Sequence, residues 1–106
     1  MKNEFDLSTY LEKIKKSSSY FHTFINKQSL AAGVLVLEPG EEDVQEPHDS
    51  DEVYFILEGD GFLRIRNKNY PVSKEKLFFV GKHIEHRFYG NSKTLKVLYF
   101  FGGPDS

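Results

Sequence analysis

Apolar and polar positions alternate along this chain with two different periods. Leu7, Tyr10, Leu11 and Ile14 recur at helical spacing, while Glu12, Lys13, Lys15 and Lys16 fall elsewhere on the wheel. Asp6 and Ser8 both offer N-caps, and the lysines gather at the end the helix dipole favours. The pattern predicts a short amphipathic helix packed on the domain as a lid, broken by Ser17 to Ser19. From Tyr20 the period shortens. Tyr20 to Ile25, Leu30 to Leu37, Val53 to Leu57, Phe62 to Arg66, Tyr70 to Val72, Leu77 to Val80, Arg87 to Tyr89 and Leu95 to Phe101 all read as strands. Turn residues separate them: Pro39-Gly40, the run Glu58-Gly59-Asp60-Gly61, a hairpin turn at Asn67-Lys68-Asn69, and a loop around Gly81. Many short strands at close intervals predict an all-β barrel or sandwich. Residues 1–19 then form a helical lead-in and residues 20–102 one β domain, with no linker or internal repeat.

The 106 residues suffice for one core and not for two. Ten Phe and six Tyr make 15% of the chain aromatic, which favours strands and an aromatic-lined interior. A net charge of -2 gives no global attraction to nucleic acid or an anionic membrane, and no basic stripe is present. With no cysteine, disulfides and thiolate metal sites are excluded, so any metal must rest on His, Asp or Glu. No apolar run approaches spanning length and the first residues lack the apolar centre of a signal peptide; the expected compartment is the cytoplasm.

The informative stretch runs from Gly40 to Gly59. Glu46 and His48 lie two apart, so on an extended chain they share a face, and Glu52 follows a short polar turn at the head of the next strand. His86 opens a later strand. Carboxylate oxygen and imidazole nitrogen suit divalent first-row metals, so Glu46, His48, Glu52 and His86 form a candidate ligand set for Mn, Fe, Ni or Zn. A triad of His48, Glu52 and His86 completed by water is chemically adequate too. Gln45 is a rival to Glu46 that would need a bulge to face the same way.

These positions resemble the cupin superfamily. Its first motif runs glycine, five residues, His-x-His, three or four residues, glutamate, six residues, glycine. Gly40, His48, Glu52 and Gly59 match it, and Glu46 occupies the first histidine's place. The second motif runs glycine, five residues, proline-x-glycine, two residues, histidine, three residues, asparagine. Here those places read Glu75, Gly81, His83, His86 and Gly90, so only the metal-binding His86 is retained, with Asn91 one residue past the last marker. The resemblance covers roughly residues 30–101. It implies a double-stranded β-helix, or jelly-roll barrel, with one divalent metal ion held inside by four side chains, and commonly a homodimer. Some sugar-isomerase cupins place glutamine where Glu46 stands, so an oxygen donor there has precedent. A second carboxylate would lower the formal charge of the site from about +1 to about zero.

Within such a barrel, parity turns Tyr54 and Phe88 inward as core or pocket wall, with the Tyr54 hydroxyl able to donate toward a metal-bound group. His83 is expected to face solvent or the pocket mouth, His22 to be an ordinary strand histidine, and Asp49 and Asp51 to belong to a solvated turn or to orient His48. Arg64 and Arg66 are exposed cations by default, within reach of an anionic substrate if their face is inward. Tyr20 to Ile25 and Leu95 to Phe101 are candidate edges for pairing. The function implied is a metal-dependent enzyme, dioxygenase-like or isomerase-like, acting on a small molecule, with a non-catalytic ligand-binding or sensor module as the competing class.

Overall fold

The computed structural model describes residues 2–105. One helix, α1 (Leu7–Lys15), precedes eight strands: β1 (Phe21–Asn26), β2 (Ala31–Leu37), β3 (Glu52–Glu58), β4 (Phe62–Ile65), β5 (Lys68–Pro71), β6 (Leu77–Val80), β7 (His86–Tyr89) and β8 (Leu95–Phe101). They form two antiparallel sheets, one ordered β1-β2-β8-β3-β6 and the other β5-β4-β7. This is the all-β jelly-roll sandwich that the strand pattern and the motif resemblance predict.

Side-chain parity builds the interior. Along β3 the even positions Glu52, Tyr54 and Ile56 are buried, and along β8 the odd positions Leu95, Val97, Tyr99 and Phe101 are buried. These meet Leu63, Val80 and Phe88 from the remaining strands in one core. β2 is buried at every position, because α1 covers its other face. Tyr10 and Ile14 of α1 pack on Val34 and Val36, with Phe24 and Leu98 at the margin. The sequence Ala31-Ala-Gly-Val-Leu-Val-Leu37 therefore reads as an unbroken apolar run rather than an alternating one. Asp6 caps the helix by accepting from the Ser8 amide at 3.1 Å.

Two backbone details depart from the strand pattern. The β4–β5 turn is Arg66-Asn67, one residue earlier than the expected Asn67-Lys68-Asn69, because Ile65 already pairs with Lys68. Arg66 takes φ +54, which lets a two-residue turn follow the twist of its strands. β8 lies between β2 and β3 and is hydrogen-bonded on both sides, so it offers no edge for pairing; the free edges of that sheet are β1 and β6. Glu75 and His83 stand where the second motif carries glycines, and both keep left-handed φ values, +72 and +63. Gly59, at φ +116, sits where a Cβ would come within 2.7 Å of the Leu95 Cα and the Thr94 carbonyl.

Candidate metal centre

His48 comes from the loop before β3, Glu52 opens β3, and His86 opens β7 in the opposite sheet. One ligand atom from each lies within 4.8 Å of the other two. His86 Nε2 is 3.2 Å, and His48 Nε2 4.0 Å, from Glu52 Oε1. Donor atoms bound at about 2.0–2.2 Å stand roughly 3–4 Å apart, so a divalent ion fits here with only a small contraction. Glu52 is 2% exposed, and neither of its oxygens accepts a hydrogen bond. An ionised carboxylate in that setting loses its hydration without replacement, unless a cation supplies it.

A network of uncharged and charged groups fixes His86. Its Nδ1 donates to the Ile84 carbonyl at 2.8 Å, which leaves Nε2 as the atom that faces Glu52. That is the tautomer needed for ligation through Nε2. Nε2 also lies 3.0 Å from the Tyr54 hydroxyl. Burial disfavours the imidazolium, but the adjoining Glu52 carboxylate, the Ile84 carbonyl and Asp43 outweigh it, and the His86 pKa is raised. Tyr54 is fully buried, and its pKa is pushed well up by burial and then by Glu52 and Asp43. It donates to Gln45 Oε1 at 3.0 Å, and Phe88 holds its ring edge-to-face at 4.9 Å. Tyr54 and Phe88 are thus inward, as parity predicts.

Gln45, not Glu46, turns toward these groups. Gln45 Oε1 lies 3.4 Å from His48 Nε2, and its amide donates to Asp43 Oδ2 at 2.9 Å. Glu46 is exposed and lies on the wall of the adjoining cavity, outside the three-residue cluster. The alternation argument does not hold here because residues 41–51 form no strand. Asp43 was not singled out by the sequence at all. It is buried and accepts from the Tyr20 hydroxyl at 3.0 Å, the Gln45 amide N–H, the Gln45 side chain and the Phe88 N–H at 2.8 Å. Burial beside Asp43 raises the Tyr20 phenol to about 12. A lone aspartate in an acidic loop carries no periodicity signal, which is why it escapes a reading of pattern alone.

The remaining residues fall outside the cluster. His83 is exposed and pairs with Asp49 at 3.0 Å. Asp51 accepts from the Lys82 amide, and His22 stacks on Tyr10 at 5.3 Å. Arg64 and Arg66 are exposed, and with Arg87 and His86 they line a second recess. Asn91 is buried and donates to the Leu37 and Lys93 carbonyls, a structural role in its turn.

A cavity of about 270 Å³ opens onto His48 and Glu52, walled by Leu35, Tyr99 and Phe101 within and by Tyr20 and Phe21 at its lip. Residues 33–101, which carry β3 to β8, most of β2 and all three clustered side chains, match the family model described as Cupin domain. The chain belongs to the cupin domain family. A Streptomyces coelicolor protein, SCO3923, is 28% identical to this cupin over 95 residues, 90% of each chain. Among solved structures, SPY1581 from Streptococcus pyogenes superposes with a TM-score of 0.71 at 19% identity, covering 98% of this chain and 90% of that one. KdgF from Halomonas sp. superposes at 0.70 with 15% identity, covering 81% and 80%. At these identities the structures share the fold with this cupin. Among the described residues, no helix is long and apolar enough to cross a membrane.

Proposed function

We propose that the chain is a metal-dependent cupin enzyme whose divalent ion, Mn, Fe, Ni or Zn, rests on His48, Glu52 and His86. The observation that carries this reading is the buried Glu52 carboxylate, unbonded at both oxygens and flanked by two imidazoles. Two histidines and one carboxylate leave coordination positions free, a donor set that serves catalytic zinc and non-haem iron alike. Bound there, the metal would act as a Lewis acid or redox centre toward a small molecule, in dioxygenase-like or isomerase-like chemistry. The chain's own part is to orient the ligands: the Ile84 carbonyl sets the His86 tautomer, and Gln45 and Tyr54 hold the neighbouring hydroxyl and amide in place. Elemental analysis of protein purified without added metal tests the assignment. Wild-type protein and Glu46→Ala should carry similar amounts of a divalent ion, and His86→Ala should carry little or none. Equal metal content in wild type and His86→Ala would remove the triad.

We further infer a homodimer joined at the edge strand β6. Leu77 and Phe79 are 65% and 64% exposed there, and Phe100 of β8 extends the same apolar face across Val53. An unpaired strand edge with an apolar outer face can pair antiparallel with its own copy about a two-fold axis. Sedimentation should give a dimer for the wild type and a monomer for the double variant Leu77→Glu, Phe79→Lys. A monomeric wild type would rule the interface out.

A further inference from the structure

The cavity that opens onto His48 and Glu52 is chemically one-sided. Glu46 and Asp105 stand in its outer wall and Glu52 at its base. Among the described residues, no lysine or arginine lines it; Arg64, Arg66 and Arg87 line the other recess, together with His86. Its apolar surface is largely aromatic. Tyr20 and Phe21 meet edge-to-face at 5.5 Å at the lip, and Tyr99 and Phe101 pair at 5.5 Å further in, where Phe101 packs against His48 at 4.5 Å.

Asp105 is held in place rather than waving in solvent. Its backbone N–H donates to Asn26 Oδ1 at 3.0 Å, and its carboxylate accepts from the Thr23 hydroxyl, which is itself 2.7 Å from the Tyr99 hydroxyl. Gly33 lets this arrangement close, since a Cβ there would collide with the Tyr99 hydroxyl and the His22 carbonyl. Asp105 thus carries a fixed negative charge on the wall of an aromatic cavity. Burial raises the pKa of both phenols, Tyr20 and Tyr99, so these rings stay neutral at ordinary pH.

We propose that this cavity selects a small organic cation, an amine or quaternary ammonium headgroup on a short body, seated among the aromatic rings between Asp105 and Glu46. The assignment deepens the reading of the cavity as the substrate site of the metal centre, and rests on it. Aromatic faces and fixed carboxylates both attract a poorly hydrated cation, and both penalise an anion of the same shape. The ligand's far end would lie toward Glu52 and His48 at the base, so the charged head sets affinity while the rest reaches the ion. The carboxylates at the mouth also concentrate cations before entry.

Three probes of matched shape test it by calorimetric titration: choline, its uncharged isostere 3,3-dimethyl-1-butanol, and the anion 3,3-dimethylbutanoate. Choline should bind at least about tenfold tighter than the alcohol, with the anion weakest of the three. Asp105→Asn and Glu46→Gln should each reduce the preference for choline without changing the affinity for the alcohol. Equal affinity for the three probes, tighter binding of the anion, or no choline binding at all would overturn the proposal. Manganese, iron, nickel and zinc contents are measured on the same samples. Loss of the cation preference with the metal retained sinks only this proposal, whereas choline selectivity in a chain that holds no metal sinks the metal centre and leaves the cation pocket standing.

Discussion

Glu52→Gln should abolish metal binding and, at the same time, make the metal-free protein more stable in mildly alkaline solution. The two effects have one cause. Glu52 is buried with neither oxygen hydrogen-bonded, so without a metal its charge depends on His86 as a partner 3.2 Å away. Because the folded His86 has a raised pKa, its ion pair with Glu52 stabilises the fold fully below the unfolded pKa of about 6.5, and that stabilisation is lost as pH rises through the folded value. Above it, the carboxylate is left buried and uncompensated. Glutamine removes that charge at nearly constant volume, and the gain should be about 1–3 kcal/mol, read as a higher Tm of the chelator-treated variant. In acid the gain should shrink or reverse, because the variant has no carboxylate to pair with the imidazolium. Protons and metal compete for the same Nε2, so loading of the wild type should weaken as pH falls through the raised His86 pKa. A variant with wild-type metal content, or one less stable than wild type in alkaline solution, would show that Glu52 is satisfied in some other way.

Asp43→Ala should cost the most stability of any substitution near the site while touching none of its proposed ligands. Asp43 ties the loop of residues 38–51 to β7, accepting from Tyr20, from Gln45 twice and from the Phe88 N–H. Alanine would leave the buried Phe88 amide without an acceptor and free Gln45 from its anchor. Unsatisfied buried donors cost roughly 1–3 kcal/mol each, and losing one partner of a buried charged network about 3–5 kcal/mol, so a fall of about 3 kcal/mol is expected. For a domain of this size that is a drop of roughly 10–20 °C in Tm. Metal affinity should fall as well, because His48 sits on the loosened loop and loses the Gln45 side chain beside it. Asp43→Asn keeps an acceptor for Phe88 and should lose much less. Thermal melts of both variants, with and without added zinc, check the ordering; equal loss in the two would place the importance of Asp43 in its charge alone.

What the chain discloses by itself follows from which forces act locally. Strands announce themselves because one face is buried: Tyr54 and Ile56 against Val53 and Phe55, or Leu95 and Val97 against Lys96, leave a period of two that no helix produces. Helix α1 was equally legible from Tyr10 and Ile14. His48, Glu52 and His86 could be nominated because imidazole and carboxylate are metal donors and stand at the ligand places of the motif that the chain resembles. Asp43 could not, and Gln45 entered only as a rival to Glu46, since both lie in a loop whose path is set by its hydrogen bonds to β7 and Tyr20 rather than by any repeat. Extending strand parity through that loop is what put Glu46 in the place that Gln45 takes in space. The Arg66-Asn67 turn escaped for a related reason: Lys68 and Asn69 look like turn residues, and only the ladder with Ile65 and Arg64 shows that they are strand.

The most direct test of the metal centre is anomalous diffraction from crystals of the metal-loaded protein, collected on either side of the metal's absorption edge. A single peak is expected between the two sheets, at about 2.0–2.2 Å from Nε2 of His48, Nε2 of His86 and a carboxylate oxygen of Glu52. A peak at any other side chains, or none in fully loaded crystals, would contradict it.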